Sequence, residues 1–204
     1  MRVSRSVVTT SPLVRPGSPW AQRILGWFGW RAEITTPPAP RCVVIMYPHT
    51  SNWDFILGLL ARAAVGLRAQ WVGKDSLFRF PFGSLMRALG GMPVDRSQRT
   101  GLTAQLAAEL TRHEALCLAL APEGTRARTR HWRSGFYHVA LAAGVPVGLG
   151  YIDYGRRVVG ITRWHTMTGD VQRDLATLRE YYADKKAKFP EQASDITFAP
   201  AAER

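Results

Sequence analysis

Cysteine, lysine and long apolar runs are scarce in this chain of 204 residues. The two cysteines, Cys42 and Cys117, lie inside apolar runs and lack the spacing of a metal-binding motif. They indicate small buried side chains in a reducing compartment and exclude a disulfide-built scaffold. No apolar run reaches the roughly 18 residues of a membrane span, and no apolar signal-peptide core precedes Pro12. We therefore expect a cytoplasmic protein whose contact with a membrane is peripheral.

Positive charge exceeds negative charge, and almost all of it comes from arginine. The chain has 27 lysine and arginine residues, only four of them lysine, against 15 aspartate and glutamate residues, which gives a net charge of +12. Such an excess favours an anionic partner, and the arginine fork suits phosphate. Nucleic acid, an acidic membrane surface, an acidic carrier protein and a phosphorylated substrate all fit. The codon bias of a GC-rich genome explains the excess equally well, so composition alone leaves the partner open.

Apolar and charged contents of 46% and 21% are those of a soluble globular protein and exclude disorder. From residue 41 onward, short apolar runs alternate with segments of helical periodicity. The predicted strands are 42–47, 69–72, 92–94, 115–121, 145–152 and 158–162, and the predicted helices are 53–65, 84–89, 101–113, 134–143 and 171–188. This alternation predicts an α/β fold with a mostly parallel central sheet flanked by helices.

We expect four regions along the chain: a flexible tail at 1–18, an amphipathic tryptophan-rich segment and linker at 19–40, an α/β domain at 41–190, and a C-terminal tail at 191–204. In the second region Trp20, Ile24, Trp27 and Phe28 recur at helical spacing, with arginines around them. Such a helix either lies in a lipid headgroup layer or packs its tryptophans onto the domain. The sequence leaves both alternatives open.

The ends of the predicted strands are where a ligand site is expected, because parallel strands bring their carboxyl ends to one edge of the sheet. The polar residues that follow these ends are His49 and Asp54 after 42–47, Lys74 after 69–72, Arg96 after 92–94, and Glu123, Gly124, Thr125 and Arg126 after 115–121. An imidazole, carboxylates and guanidinium groups therefore meet at this edge. We expect them to form one site.

Each of these residues also has a purely structural interpretation. Asp54 either orients His49 as a general base or caps the helix that begins beside it, in a Ser-x-x-Asp pattern. Arg126 and its neighbours either bind an anion or form a solvated basic loop. Lys74 either joins the anion site or pairs with Asp75 on the surface.

Four sequence blocks occur in an order that carries a family resemblance: His49-x4-Asp54, Gly-Gly-Met-Pro-Val-Asp-Arg at 90–96, Pro-Glu-Gly-Thr-Arg at 122–126, and Val-Pro-Val at 145–147. They resemble the blocks of the glycerolipid (1-acylglycerol-3-phosphate) O-acyltransferase family, in a short bacterial branch. The resemblance covers about residues 41–155. Pro93 departs from the aromatic or aliphatic residue usual in the second block, so the acceptor's identity is left open.

The resemblance implies a direct acyl transfer in which His49 deprotonates an acceptor hydroxyl and Asp54 orients the imidazole. The resulting alkoxide would attack an acyl thioester of coenzyme A or acyl carrier protein, with no acyl-enzyme, metal or other cofactor. The residues implied to hold the acceptor's phosphate are Arg96, Glu123, Gly124, Thr125 and Arg126. The implied partners are the acyl donor, a lysophospholipid-like acceptor and the anionic surface of the inner membrane, but no nucleic acid. Two alternatives stay open: a thioesterase that uses the same His–Asp pair, and a basic protein that binds anionic membranes or nucleic acid.

Overall fold

A seven-stranded, mostly parallel sheet forms the centre of the computed structural model, which describes residues 11–94 and 99–200. The strands are β1 (Arg31–Ile34), β2 (Arg41–Met46), β3 (Ala69–Lys74), β4 (Gly91–Val94), β5 (Leu116–Leu120), β6 (Val147–Asp153) and β7 (Val158–His165). Their order across the sheet is β1-β7-β6-β2-β5-β3-β4, and β6 with β7 is the antiparallel pair. The predicted α/β architecture is confirmed.

Helices cover both faces of this sheet. They are α1 (Pro19–Trp27), α2 (Asn52–Val65), α3 (Gly83–Ala88), α4 (Arg99–Arg112), α5 (Gly135–Ala143) and α6 (Val171–Tyr182), with short 3-10 turns at Asp75–Phe78 and Pro190–Gln192. The last helix was predicted to reach residue 188 but ends at Tyr182. After the helix, the backbone of Lys186 bonds to the end of β6. The Tyr154 N–H donates to the Lys186 carbonyl oxygen, and the Lys186 N–H donates to the Asp153 side chain.

Two apolar layers hold the fold together. On one face, Ile45, Leu118 and Leu149 of the central strands pack in a large cluster with α4, α5 and α6. On the other face, Cys42 and Cys117 are fully buried and lie side by side in register on β2 and β5. Their burial as unpaired thiols agrees with the sequence interpretation.

Strand β1 was not predicted. Its four residues, Arg-Ala-Glu-Ile, alternate between exposed and half-buried positions at the edge of the sheet. The segment therefore lacks the continuous apolar run that marks a strand buried on both faces. Its pairing with β7 is what makes it a strand.

The described parts of the two expected tails pack on the domain. Leu13 is buried, and the Arg15 N–H donates to the carbonyl oxygen of Gly66, whose left-handed backbone ends α2. At the other end, Phe198 makes ring contacts with Phe136 and Tyr137. Residues 11–18 and 191–200 are therefore not loose in this structure, and the C-terminal segment reaches the site described below.

Helix α1 packs on the domain through a narrow face. Ala21 and Leu25 are buried against Ala64 of α2. Trp27 and Phe28 stay 80% and 68% exposed. The helix thus packs on the domain while its large aromatic side chains remain at the surface. Within the residues that the structure describes, no helix is long and apolar enough to cross a membrane.

Candidate active site

His49 and Asp54 lie together where β2 gives way to α2. The His49 Nδ1 atom is 3.3 Å from Asp54 Oδ2, and the Asp54 side chain is almost fully buried while the imidazole is 17% exposed. The same Oδ2 accepts hydrogen bonds of 2.8 Å from the backbone N–H groups of Thr50 and Ser51. Asp54 therefore caps α2 and contacts His49 at the same time. The two interpretations that the sequence left open describe one arrangement.

Tyr154, which follows β6, supplies the other contact of this carboxylate. Its hydroxyl donates to Asp54 Oδ1 over 2.6 Å, and its ring packs edge-on against Trp30. Burial raises the pKa of Asp54, but the contacts with His49, Tyr154 and the backbone outweigh burial, and the net shift is downward. A carboxylate that stays ionised next to His49 Nδ1 favours the tautomer that carries its proton there, which leaves Nε2 free to accept one.

Glu123 holds two segments of backbone in place behind the imidazole. Its Oε2 accepts a 2.7 Å hydrogen bond from the His49 N–H, and its Oε1 accepts a 2.9 Å bond from the Ser194 N–H. The residue is 1% exposed. Burial raises its pKa, and the two N–H donors oppose that shift. Because both oxygens already accept backbone hydrogen bonds, the geometry gives Glu123 a role in fixing His49 and the C-terminal segment.

The turn after Glu123 needs glycine for two reasons. Gly124 has a φ of 69°, which L side chains rarely adopt, and a Cβ atom there would lie 2.4 Å from Nε of Arg133. The turn carries Thr125 and Arg126 outward, where both side chains are exposed and line the cavity beside His49. Arg126 therefore presents an exposed guanidinium group to the same cavity that His49 lines.

An apolar cavity of about 560 Å³ runs from His49 along the buried face of α2. Residues along one side of α2 line it, namely Asp54, Phe55, Gly58, Leu59, Ala61, Arg62 and Val65. The 11 residue-to-residue steps from Asp54 to Val65 correspond to about 16 Å of helix. The opposite wall comes from β2, β3, β5 and β7, through residues such as Val44, Trp71, Ala119 and Ile161. The cavity therefore suits a long apolar chain whose polar end lies at His49.

Most of the predicted site residues lie at this cavity. His49, Asp54, Lys74, Gly124, Thr125 and Arg126 line it. Lys74, the last residue of β3, has an exposed side chain at the same edge of the sheet. Arg96 lies outside the described residues. Glu123 is close to His49 but lies behind it, bonded to backbone.

Three residues that the sequence interpretation did not assign to the site contribute to it. Tyr154 lies just after the predicted strand 145–152, and Ser194 lies in the expected C-terminal tail, yet each bonds to a carboxylate of the site. Lys188 joins Arg126 in lining a smaller cavity at the start of α2, where its ammonium group lies 5.6 Å from the centre of the Trp53 ring. No sequence motif marks these three positions. Among the described residues, no group of three or more His, Cys, Asp or Glu side chains is placed to hold a metal ion.

Comparison with known proteins now identifies the family. The family model Acyltransferase matches residues 33–148, which is more than half of the chain. This range includes every described residue proposed for the site except those that follow β6. The chain belongs to the acyltransferase family. The resemblance drawn from the four sequence blocks is therefore confirmed at the level of the family.

Curated relatives within this family carry one name. The 1-acyl-sn-glycerol-3-phosphate acyltransferase of Haemophilus influenzae is 29% identical over 155 residues, which cover 71% of this chain and 63% of the relative. The enzyme of the same name from Escherichia coli is 31% identical over 135 residues, covering 61% and 54%. The chain thus spans less than two thirds of the length of these relatives.

A solved structure supports the fold of this acyltransferase. The crystal structure of the 1-acyl-sn-glycerophosphate (LPA) acyltransferase PlsC from Thermotoga maritima superposes with a TM-score of 0.51 at 17% identity, covering 82% of this chain and 78% of that one. At this identity the likeness concerns the fold. It agrees with the mostly parallel sheet described above.

Proposed function

We propose that this protein transfers an acyl group from a thioester to a hydroxyl of a lysophospholipid or glycerol-phosphate-like acceptor. The observation that carries the proposal is the position of the His49–Asp54 pair at an apolar cavity that the exposed cations Arg126 and Lys74 also line. An imidazole base, a slot for an acyl chain and cations for phosphate are the three elements that the reaction needs. The name of the curated relatives supports the same acceptor class.

In the proposed reaction, Nε2 of His49 removes the proton of the acceptor hydroxyl as its oxygen attacks the thioester carbonyl carbon. Asp54 stabilises the imidazolium that forms at Nδ1, 3.3 Å away. The tetrahedral intermediate then expels the donor's thiolate, which takes the proton back from His49. The new ester and a free thiol are the products, and no bond to the protein forms. A thioester is reactive enough for this step without a metal or another cofactor.

Cations at the rim give the acceptor its orientation in this proposal. Arg126 binds phosphate through its guanidinium fork, and Lys74 adds a second positive charge. The donor is a thioester of coenzyme A or of acyl carrier protein, both of which are anionic. The acceptor is itself a lipid, so we propose that the enzyme works while bound peripherally to the anionic cytoplasmic surface of the inner membrane. The exposed side chains of Trp27, at the end of α1, and Phe28, directly after it, would contact this surface.

A radiolabelled acyl-transfer assay tests this proposal, with both donor types over a panel of lysophospholipids and glycerol phosphates. We expect His49→Ala to abolish transfer, a loss of at least about 10²-fold, since general base assistance is typically worth 10²–10⁴-fold. His138→Ala is the matched control, because His138 is exposed on α5 and does not line the cavity. Unchanged circular dichroism and urea midpoint show that both variants fold.

The same assay separates transfer from hydrolysis. A thioesterase would consume the thioester at the same rate with and without acceptor and release free fatty acid. The proposed transferase consumes it in step with acceptor and forms an ester. Full transfer by His49→Ala, or fatty acid as the main product of the native protein, would overturn the proposal.

A further inference from the structure

The segment that follows β3 and includes the first residues of α3 exposes several large apolar side chains that are close in sequence. Residues 75–85, here called the aromatic loop, contain Leu77, Phe80, Phe82 and Leu85, whose exposed fractions are 50%, 97%, 63% and 51%. Single exposed apolar residues are normal on a protein surface, but a cluster of this kind marks a surface that contacts something else. We propose that the aromatic loop inserts into the interfacial layer of an anionic bilayer.

The position of the loop favours a lipid partner. β3 ends at Lys74, and because β3 and β5 are parallel, the loop leaves the sheet at the edge where β5 leads to Glu123 and the cavity mouth. Ser76 and Leu77 at the start of the loop, and Met86 just after it, line the cavity itself. A bilayer that holds the loop would therefore lie against the mouth of the cavity. This argument rests on the proposed function, since it takes the acceptor to be a lipid.

Local packing fixes the loop in its outward-facing form. Phe78 in its middle is buried and stacks on Trp71, with ring centres 5.5 Å apart. Arg87 donates to the Phe78 carbonyl oxygen and lies over its ring. A Cβ atom on Gly83 would lie 2.0 Å from that same oxygen, so the chain folds back tightly there. With Phe78 anchored inside, its neighbours Phe80 and Phe82 point outward without further ordering, which lowers the entropy cost of insertion.

Charge around the loop fits an anionic surface. Positive charge exceeds negative charge here, with three cations, Lys74, Arg79 and Arg87, against one carboxylate, Asp75. The Arg79 side chain is 75% exposed. Its pair with Asp75, 3.3 Å long, lies in solvent and is weak. Aromatic side chains at headgroup depth with arginine and lysine beside them are typical of segments that lie in a membrane interface.

The test is sedimentation of the full-length protein with vesicles of phosphatidylcholine and phosphatidylglycerol. We expect the double variant Phe80→Ser/Phe82→Ser to bind at least about tenfold more weakly, the effect of losing one buried phenylalanine side chain. Arg79→Gln weakens binding a few-fold on these vesicles, since one cation near the surface contributes about 1 kcal/mol, and has no effect on vesicles of phosphatidylcholine alone. Leu141→Ser is the matched control, because Leu141 is an exposed apolar residue on α5, on the other face of the sheet.

A second readout separates this inference from the proposed function. Neither Phe80 nor Phe82 lines the cavity, so acyl transfer to a short-chain, water-soluble lysophosphatidic acid stays at the native rate in the double variant. Native vesicle binding by the double variant overturns the inference and leaves the proposed function intact. A native chain that does not transfer acyl groups to the soluble acceptor overturns the function instead. Loss of self-association in the double variant, without a change in vesicle binding, assigns the patch to a second copy of the chain and also overturns the inference.

Discussion

Removing only the hydroxyl oxygen of Tyr154 should lower the stability of the protein by an amount that depends on pH, because this hydroxyl donates a hydrogen bond to Asp54. In Tyr154→Phe the ring and its edge-on contact with Trp30 remain, but Asp54 Oδ1 loses its 2.6 Å donor. The hydrogen bond is made to a buried carboxylate, and bonds to charged groups contribute about 1.5–3 kcal/mol. Phenylalanine avoids the cost of burying a hydroxyl, so we expect the free energy of unfolding to fall by about 1–2 kcal/mol near pH 7.

The sign of the pH dependence follows from the direction of the Asp54 shift. The folded state lowers the pKa of Asp54 below 3.8, so this carboxylate contributes stability above that value and loses it as the pH falls through its folded-state pKa. Tyr154 supplies part of the lowering. The difference in the free energy of unfolding between native protein and variant is therefore largest near neutral pH and shrinks toward zero as Asp54 becomes protonated.

Urea unfolding at about pH 7 and at a second pH low enough to protonate Asp54 in the folded state measures this difference. Tyr182→Phe is the matched control, because its buried hydroxyl donates to a neutral acceptor, the Gly150 carbonyl oxygen. We expect the control to lose a similar amount of stability at both pH values. A Tyr154→Phe effect below about 0.5 kcal/mol, or one equal at both pH values, would refute the reasoning, since surface-like changes fall in that range. In the acyl-transfer assay, the variant should lower kcat and leave KM for the acceptor unchanged, because Tyr154 acts through Asp54.

Two further substitutions test the support of His49 and the extent of the cavity. Glu123→Asp keeps the charge, but its side chain is one methylene too short to reach both the His49 and Ser194 N–H groups. We expect kcat to fall by roughly 10²-fold, the effect of a misplacement of about 1 Å. Limited proteolysis should also cut the C-terminal segment faster, and unchanged kinetics would contradict this role of Glu123. A Cβ atom on Gly58 meets open space in the cavity, so Gly58→Ala should raise the free energy of unfolding by up to about 1 kcal/mol. Gly58→Leu should reduce transfer of long acyl chains much more than of short ones, and equal effects on both would place the chain elsewhere.

The parallel sheet and the grouping of His49 with the Glu123 turn could be predicted because both depend on local patterns. Continuous apolar runs mark strands buried on both faces, and the polar residues after them must share one edge. Both ends of α2 were also predictable, since Ser51 and Asp54 form the capping pattern at its start and Gly66 ends it. The sequence pattern does not show that one oxygen of Asp54, Oδ2, both caps the helix and contacts the imidazole of His49.

The remaining support of the site depends on distant chain segments. Tyr154 is 100 residues from Asp54, and Ser194 is 71 residues from Glu123. Their contacts follow from the register of β6 beside β2 and from the path of the chain after α6, neither of which leaves a local signal. Residues 191–200 were expected to be part of a C-terminal tail. Only packing against the domain reveals their role.

These contacts couple the position of the imidazole to the cavity. Helix α2 begins at the carboxylate that holds His49 and continues for about 16 Å along the cavity wall. If the acyl chain binds along α2 as proposed, its position relative to Nε2 is fixed, because Asp54 Oδ2 contacts both the start of the helix and the imidazole. Tyr154 and Glu123 tie this unit to β6 and to the C-terminal segment, so His49 is held by three separate parts of the chain. Because proximity and orientation contribute several kcal/mol to catalysis only when reacting atoms are held closely, substitutions at these remote contacts should lower kcat more than they change acceptor KM.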